Sequence, residues 1–123
     1  MNAALEAWGY RCELQMEPYG FYVWQKDGKR RRLKTLSESE RFQFAIAFQV
    51  ALAMTTDIKL VVIDGADLFD EAGRGALFPL LLESGLDQAI IMATDERMEA
   101  PALEGMVVYS FRDGKAVRLE AAR

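Results

Sequence analysis

There is no histidine anywhere in this chain of 123 residues. That removes Ser-His-Asp and Cys-His nucleophile systems, histidine general bases and most zinc-binding patterns together. The single cysteine, Cys12, cannot form an intrachain disulfide, which accords with a reducing compartment. No apolar run reaches the length of a membrane span, and even the apolar stretch at 45–54 is interrupted by Gln49. The N-terminus lacks the basic flank and apolar core of a signal peptide, and no lipidation motif is present. The expectation is a cytoplasmic protein that does not engage a membrane. Internal repeats and low-complexity segments are also lacking, and the phosphate-cradling pattern G-x-x-x-x-G-K-[ST] occurs nowhere.

What is there is an ordinary globular composition, 51% apolar and 28% charged, with room for one domain and a hydrophobic core. The net charge of −4 argues against nonspecific nucleic-acid binding by the whole surface. The charge is uneven, however: Lys26, Lys29, Arg30, Arg31, Arg32 and Lys34 crowd one segment.

Patterning predicts a short helix over 2–8 ended by Gly9, then a strand in which Tyr10, Cys12, Leu14 and Met16 alternate with polar residues. Pro18-Tyr19-Gly20 reads as a turn, 21–25 as a second strand, Asp27-Gly28 as a tight hairpin and 29–35 as a third strand. The period then changes. Residues 42–53 fit a helix that is apolar nearly all round and is expected to be buried. A parallel-type strand follows at 59–63, then a helix at 71–83 that Pro79 should kink or displace, then a buried strand at 88–93. A closing hairpin over 107–119 turns at Asp113-Gly114. The fold class expected is α+β (α/β), with a buried β-α-β core flanked by antiparallel hairpins.

Two elements carry the chemistry. Ser37-Glu38-Ser39-Glu40 has the S-x-x-E form of a capping box, and a helix start with unpaired N–H groups suits a phosphate. About twenty residues further on, Leu60-Val61-Val62-Ile63-Asp64 is an apolar strand ending in a carboxylate, where α/β sheets gather ligands and a carboxylate can hold Mg²⁺. Each also has a plain reading, as a helix cap and as a strand-ending turn residue.

In this order and spacing the elements resemble the C-terminal half of an ABC-type (P-loop) ATPase head. The branch they look most like is the SMC, RecN and RecF-like proteins, whose half-heads flank a coiled coil. Leu36-Ser37-Glu38-Ser39-Glu40 stands where the family has Leu-Ser-Gly-Gly-Glu or Gln. Leu60 to Asp64 resembles the Walker B strand, with Asp64 at the Mg²⁺ position. Asp67-Leu68-Phe69-Asp70 looks like the D-loop, and Thr94-Asp95-Glu96 lies at the switch region. Residues 1–9 would be the remnant of a preceding coiled coil, and 10–123 the signature and Walker B lobe, a piece of a longer chain or one half of a split one.

The resemblance implies ATP and Mg²⁺ bound only in a complete head, with a Walker A-bearing N-terminal lobe and a second head as partners in an ATP-sandwiched dimer. Ser37, Glu38, Ser39 and Glu40 would contact nucleotide, and Asp64, Asp67 and Asp70 are the catalytic candidates. DNA repair or chromosome maintenance, near the nucleoid, is the setting it implies. Arg30, Arg31 and Arg32 would touch DNA; their plain reading is a solvated strand edge. Trp8, Tyr10 and Trp24 read either as a stacking platform or as core and cross-strand packing. Three departures stand out: Gly65 replaces the family's glutamate, Thr94 replaces its switch histidine, and Glu38 and Ser39 replace its signature glycines. They make a non-hydrolysing, head-like scaffold the alternative, with a small DNA-binding module third.

Overall fold

A computed structural model describes residues 1–6, 8–94 and 103–119. The elements are α1 (Asn2–Glu6), β1 (Arg11–Met16), β2 (Tyr19–Trp24), β3 (Arg30–Arg32), α2 (Glu38–Ala53), β4 (Leu60–Asp64), α3 (Glu71–Glu83), β5 (Gln88–Met92), β6 (Val108–Arg112) and β7 (Lys115–Leu119). They make a mixed α+β domain with an antiparallel sheet β1-β2-β3, a parallel pair β4-β5 and an antiparallel hairpin β6-β7. No helix among the described residues is long and apolar enough to cross a membrane.

The meander forms for the expected reason, alternation, but its corners differ. Tyr19 and Gly20 belong to β2 and pair with Met16 and Gln15, so the first turn is made by Glu17 and Pro18 alone. The second is a three-residue loop rather than a tight one, closed from the Gln25 N–H to the Lys29 carbonyl. Gly28, at φ +74°, supplies the left-handed residue that such a loop needs. β3 is three residues long, not seven, because Leu33–Thr35 wind into a 3₁₀ turn that swings the chain toward α2.

Helix α2 lies on the inner face of this sheet. Phe21 meets Phe44 edge-on at 5.3 Å between ring centroids, and Cys12, Val23, Ile46, Ala47 and Val50 are buried around them. Val61 and Ile63 of β4 and Leu77 and Leu81 of α3 complete the core. Phe69 joins the parts: it packs on Phe42 of α2 at 5.2 Å and stacks on Trp8 at 6.1 Å. The Trp8 indole N–H donates to the Gly73 carbonyl at 3.3 Å. α3 continues through Pro79.

Two expectations of burial fail in the same way. α2 is not covered all round: Phe48 is 40% exposed and Leu52 51%. The parallel pair is covered on one side only. Val61 and Ile63 face the core, whereas Leu60, Val62, Ile90 and Met92 are 39–46% exposed on the other face. An apolar pattern shows that a surface avoids water; it does not show that the same chain supplies the cover.

Candidate functional site

The start of α2 is built as its residues dictate. Ser37 is extended, at φ −61° and ψ 166°, and its Oγ accepts the Glu40 N–H at 3.3 Å. Glu40 Oε2 accepts the Ser37 N–H at 2.8 Å in return. The Arg41 N–H bonds the Ser37 carbonyl, which leaves the N–H groups of Glu38 and Ser39 without a hydrogen-bond partner among the described residues. Ser37 and Glu38 are exposed, and Ser39 is half-buried.

Glu40 is tied further than a capping box requires. Its Oε1 accepts the Tyr10 hydroxyl at 3.4 Å and the Gln25 amide N–H. Burial works to raise its pKa, but the Ser37 N–H and hydroxyl, the charge of Arg31 and the Tyr10 hydroxyl hold the carboxyl below its ordinary value. Tyr10 responds oppositely. Burial first, then the charge and hydrogen bond of Glu40 and the charge of Asp70, raise its pKa, so it stays protonated and donates. The Glu40 side chain is therefore a strut between α2 and the meander, and the unpartnered N–H groups at this helix start are those of Glu38 and Ser39. Tyr10 and Gln25, 30 and 15 residues from Glu40, have no local sequence signal that marks them as its donors.

Asp64 closes β4 beside Met92. The Gly65 N–H adds one more rung, to the Met92 carbonyl at 3.1 Å. Gly65 then turns the chain at φ +91° and ψ 33°, a conformation that costs a side-chain-bearing residue about 1–2 kcal/mol. A Cβ there would meet Leu68 at 3.7 Å and the Phe42 ring at 4.0 Å. Space is adequate, and the backbone is what asks for glycine. Phe42 thus sets the second turn of α2 against the loop that follows Asp64.

The three aspartates separate by role. Asp67 Oδ1 accepts the Thr94 N–H at 3.2 Å, pinning together the loops that follow β4 and β5. Asp70 caps α3 by accepting the Gly73 N–H at 2.7 Å. Asp64 is exposed, and its side-chain carboxylate has no hydrogen-bond or ion-pair partner among the described residues. No group of three His, Cys, Asp or Glu side chains that could hold a metal occurs there either. Of the residues expected at a switch region, Thr94 is placed by its bond to Asp67, while Asp95 lies outside the described residues.

The three arginines do not share a face. Tyr22 pairs with Arg32 and Trp24 with Arg30, whereas Arg31 pairs with the buried Val23. Arg30 and Arg32 thus stand on the outer face of the sheet, and Arg31 is on the Glu40 side. Of the three aromatics grouped by sequence, Trp8 is core and Tyr10 holds Glu40, which leaves Trp24 on the outer face. An open groove of ≈ 320 Å³ is lined by Trp8, Tyr10, Gln25, Lys26 and Asp27, none of them a predicted nucleotide contact.

No protein-family model matches this chain, and no curated protein matches it.

Proposed function

We propose that this chain is the signature-bearing C-terminal lobe of an ABC-type ATPase head of the SMC and RecN kind. The observation that carries the reading is the unfinished parallel pair. Parallel strands normally have both faces covered, yet β4 and β5 present Leu60, Val62, Ile90 and Met92 to solvent. A second lobe, in the same polypeptide or another, would cover that face and bring the phosphate-cradling loop that this chain lacks.

In this reading the start of α2 is a trans contact for a γ-phosphate held by a second head. The Ser37 and Ser39 hydroxyls and the free N–H groups of Glu38 and Ser39 are donors fixed in advance, which is how backbone dipoles stabilise developing phosphate charge. Asp64 fits Mg²⁺ in its own head. It is unpaired and exposed at a strand end, and Mg²⁺ takes one or two carboxylates together with substrate phosphates and water. The ion would supply charge neutralisation at the phosphates. Asp67 and Asp70, occupied by Thr94 and Gly73, shape the loops around it. DNA repair or chromosome maintenance is the setting proposed.

Calorimetric titration of the isolated chain with Mg-ATP tests this directly. No saturation in the low micromolar range is expected, and tight one-to-one binding by the chain alone overturns the reading. The left-handed Gly65 favours a second reading, a head that assembles but does not hydrolyse: the position where the family carries a water-polarising glutamate is shaped for glycine. Measured turnover in a complete head separates the two.

A further inference from the structure

Outside the start of α2 and Asp64, the outer face of the meander is the surface where charge and aromatic rings are most closely organised. Its cross-strand rows are Arg11–Trp24–Arg30 and Glu13–Tyr22–Arg32. The Arg30 guanidinium lies 3.8 Å from the Tyr22 ring centroid and 5.5 Å from that of Trp24. Arg11 approaches Trp24 at 5.9 Å, and Arg32 approaches Tyr22 at 5.9 Å. Gln15 Oε1 accepts from Arg30 Nη2 at 2.6 Å, fixing that guanidinium over its ring.

These arginines are not neutralised. The ion pair found among the described residues is Lys29–Asp27 at 3.9 Å, and Arg11, Arg30 and Arg32 form none there. Three guanidiniums and one carboxylate, Glu13, therefore leave this face positive on a chain of net charge −4. A guanidinium over a ring keeps its other face open; Arg30 has Nη2 engaged by Gln15, whereas Arg11 and Arg32 keep the N–H fork without a partner among the described residues. Such a plane stacks on a nucleobase, and the fork binds phosphate.

We propose that the outer face of β1-β2-β3 binds single-stranded nucleic acid, taking about two or three nucleotides, as aromatic sheet faces do elsewhere. Arg30 presents a stacking plane backed by Tyr22, Trp24 offers a second, and Arg11 and Arg32 hold phosphates on either side. Charge complementarity selects a polyanion; the rings select one with exposed base faces, which a duplex hides. Arg31, on the opposite face, has no part in it.

The test uses fluorescence anisotropy of a labelled mixed-sequence single-stranded DNA decamer, the matching duplex and a poly-glutamate competitor, each at several salt concentrations. The single strand is expected to bind more tightly than the duplex, with a log–log salt slope of about −0.7 per phosphate contact. Arg30→Ala and Tyr22→Leu should each weaken binding by about tenfold. Trp24→Phe, which keeps a ring, should cost less, and Arg31→Ala should leave affinity and slope unchanged. A thermal melt for each variant confirms that the sheet is intact, and Tyr22→Thr, which removes the ring but suits a strand, replaces any Tyr22→Leu protein that fails to fold. Four results would each overturn the proposal: duplex binding equal to or tighter than single-strand binding, equal losses from Arg31→Ala and Arg30→Ala, displacement by poly-glutamate at matched charge, or no single-strand binding at low salt.

Discussion

Removing the Glu40 carboxylate should loosen the start of α2 from the meander. Glu40→Ala deletes the acceptor for the Ser37 N–H, the Tyr10 hydroxyl and the Gln25 amide. These groups are partly exposed, so each bond is taken near the low end of the usual 0.5–1.5 kcal/mol, giving a loss of about 2 kcal/mol. For a domain of this size that is about 6–10 °C in Tm. Glu40→Gln keeps an acceptor for the cap and should lose less than half as much.

The pH dependence gives a sharper test of the same contact. Because the folded-state pKa of Glu40 is lowered, its ionised form stabilises the fold above the unfolded value of about 4.3. That contribution disappears as pH falls through the lower, folded pKa. The stability gap between wild type and Glu40→Gln should therefore be full at neutral pH and close in acid. Denaturant melts across pH 3–7, a range of about four units around that unfolded value, measure it. A Glu40→Ala protein as stable as wild type, or a gap that does not change with pH, would refute the strut.

Further outcomes follow from the same geometry. Gly65→Ala should cost about 1–2 kcal/mol in a denaturant melt despite adequate space. Gly65→Glu, which supplies the carboxylate that the family carries at this position, should be similarly destabilised by the left-handed backbone, so its melt is read beside any gain in turnover. Asp64→Asn should leave the melt of the isolated chain within about 0.5 kcal/mol, as exposed, unpartnered positions do, while abolishing Mg²⁺-dependent activity in a complete head. Val62→Lys with Ile90→Lys, on the uncovered face of the parallel pair, should keep the isolated chain folded by circular dichroism and prevent its co-purification with a Walker A-bearing lobe.

Much of the fold was legible because period is local. The shift from alternation to a helical repeat marked α2, the S-x-x-E spacing specified the capping box bond by bond, and Asp113-Gly114 delivered a turn with both residues at positive φ. Contacts across the chain were not legible, since nothing near Glu40 points to Tyr10 or Gln25. Nor does an apolar strand say who covers it, which is why β4 and β5 read as buried. One miss was avoidable. Alternation alone, applied to Arg30, Arg31 and Arg32, puts the middle arginine on the other face. The pairing of Asp67 with Thr94 joined two residues already singled out for a different reason, and only the crossover between parallel strands brings them together.

The central claim is that this lobe completes a head and engages a second one through Ser37. Its most direct test is the light-scattering molar mass of the chain assembled with a Walker A-bearing lobe, with and without Mg-ATP, for wild type and Ser37→Arg. The substitution removes the cap, worth about 1 kcal/mol, and places a bulky side chain where the phosphate would sit. The prediction is that Mg-ATP doubles the mass of the wild-type head and leaves the folded Ser37→Arg head unchanged. ATP-driven doubling that persists in Ser37→Arg would show that the motif is a helix cap and nothing more.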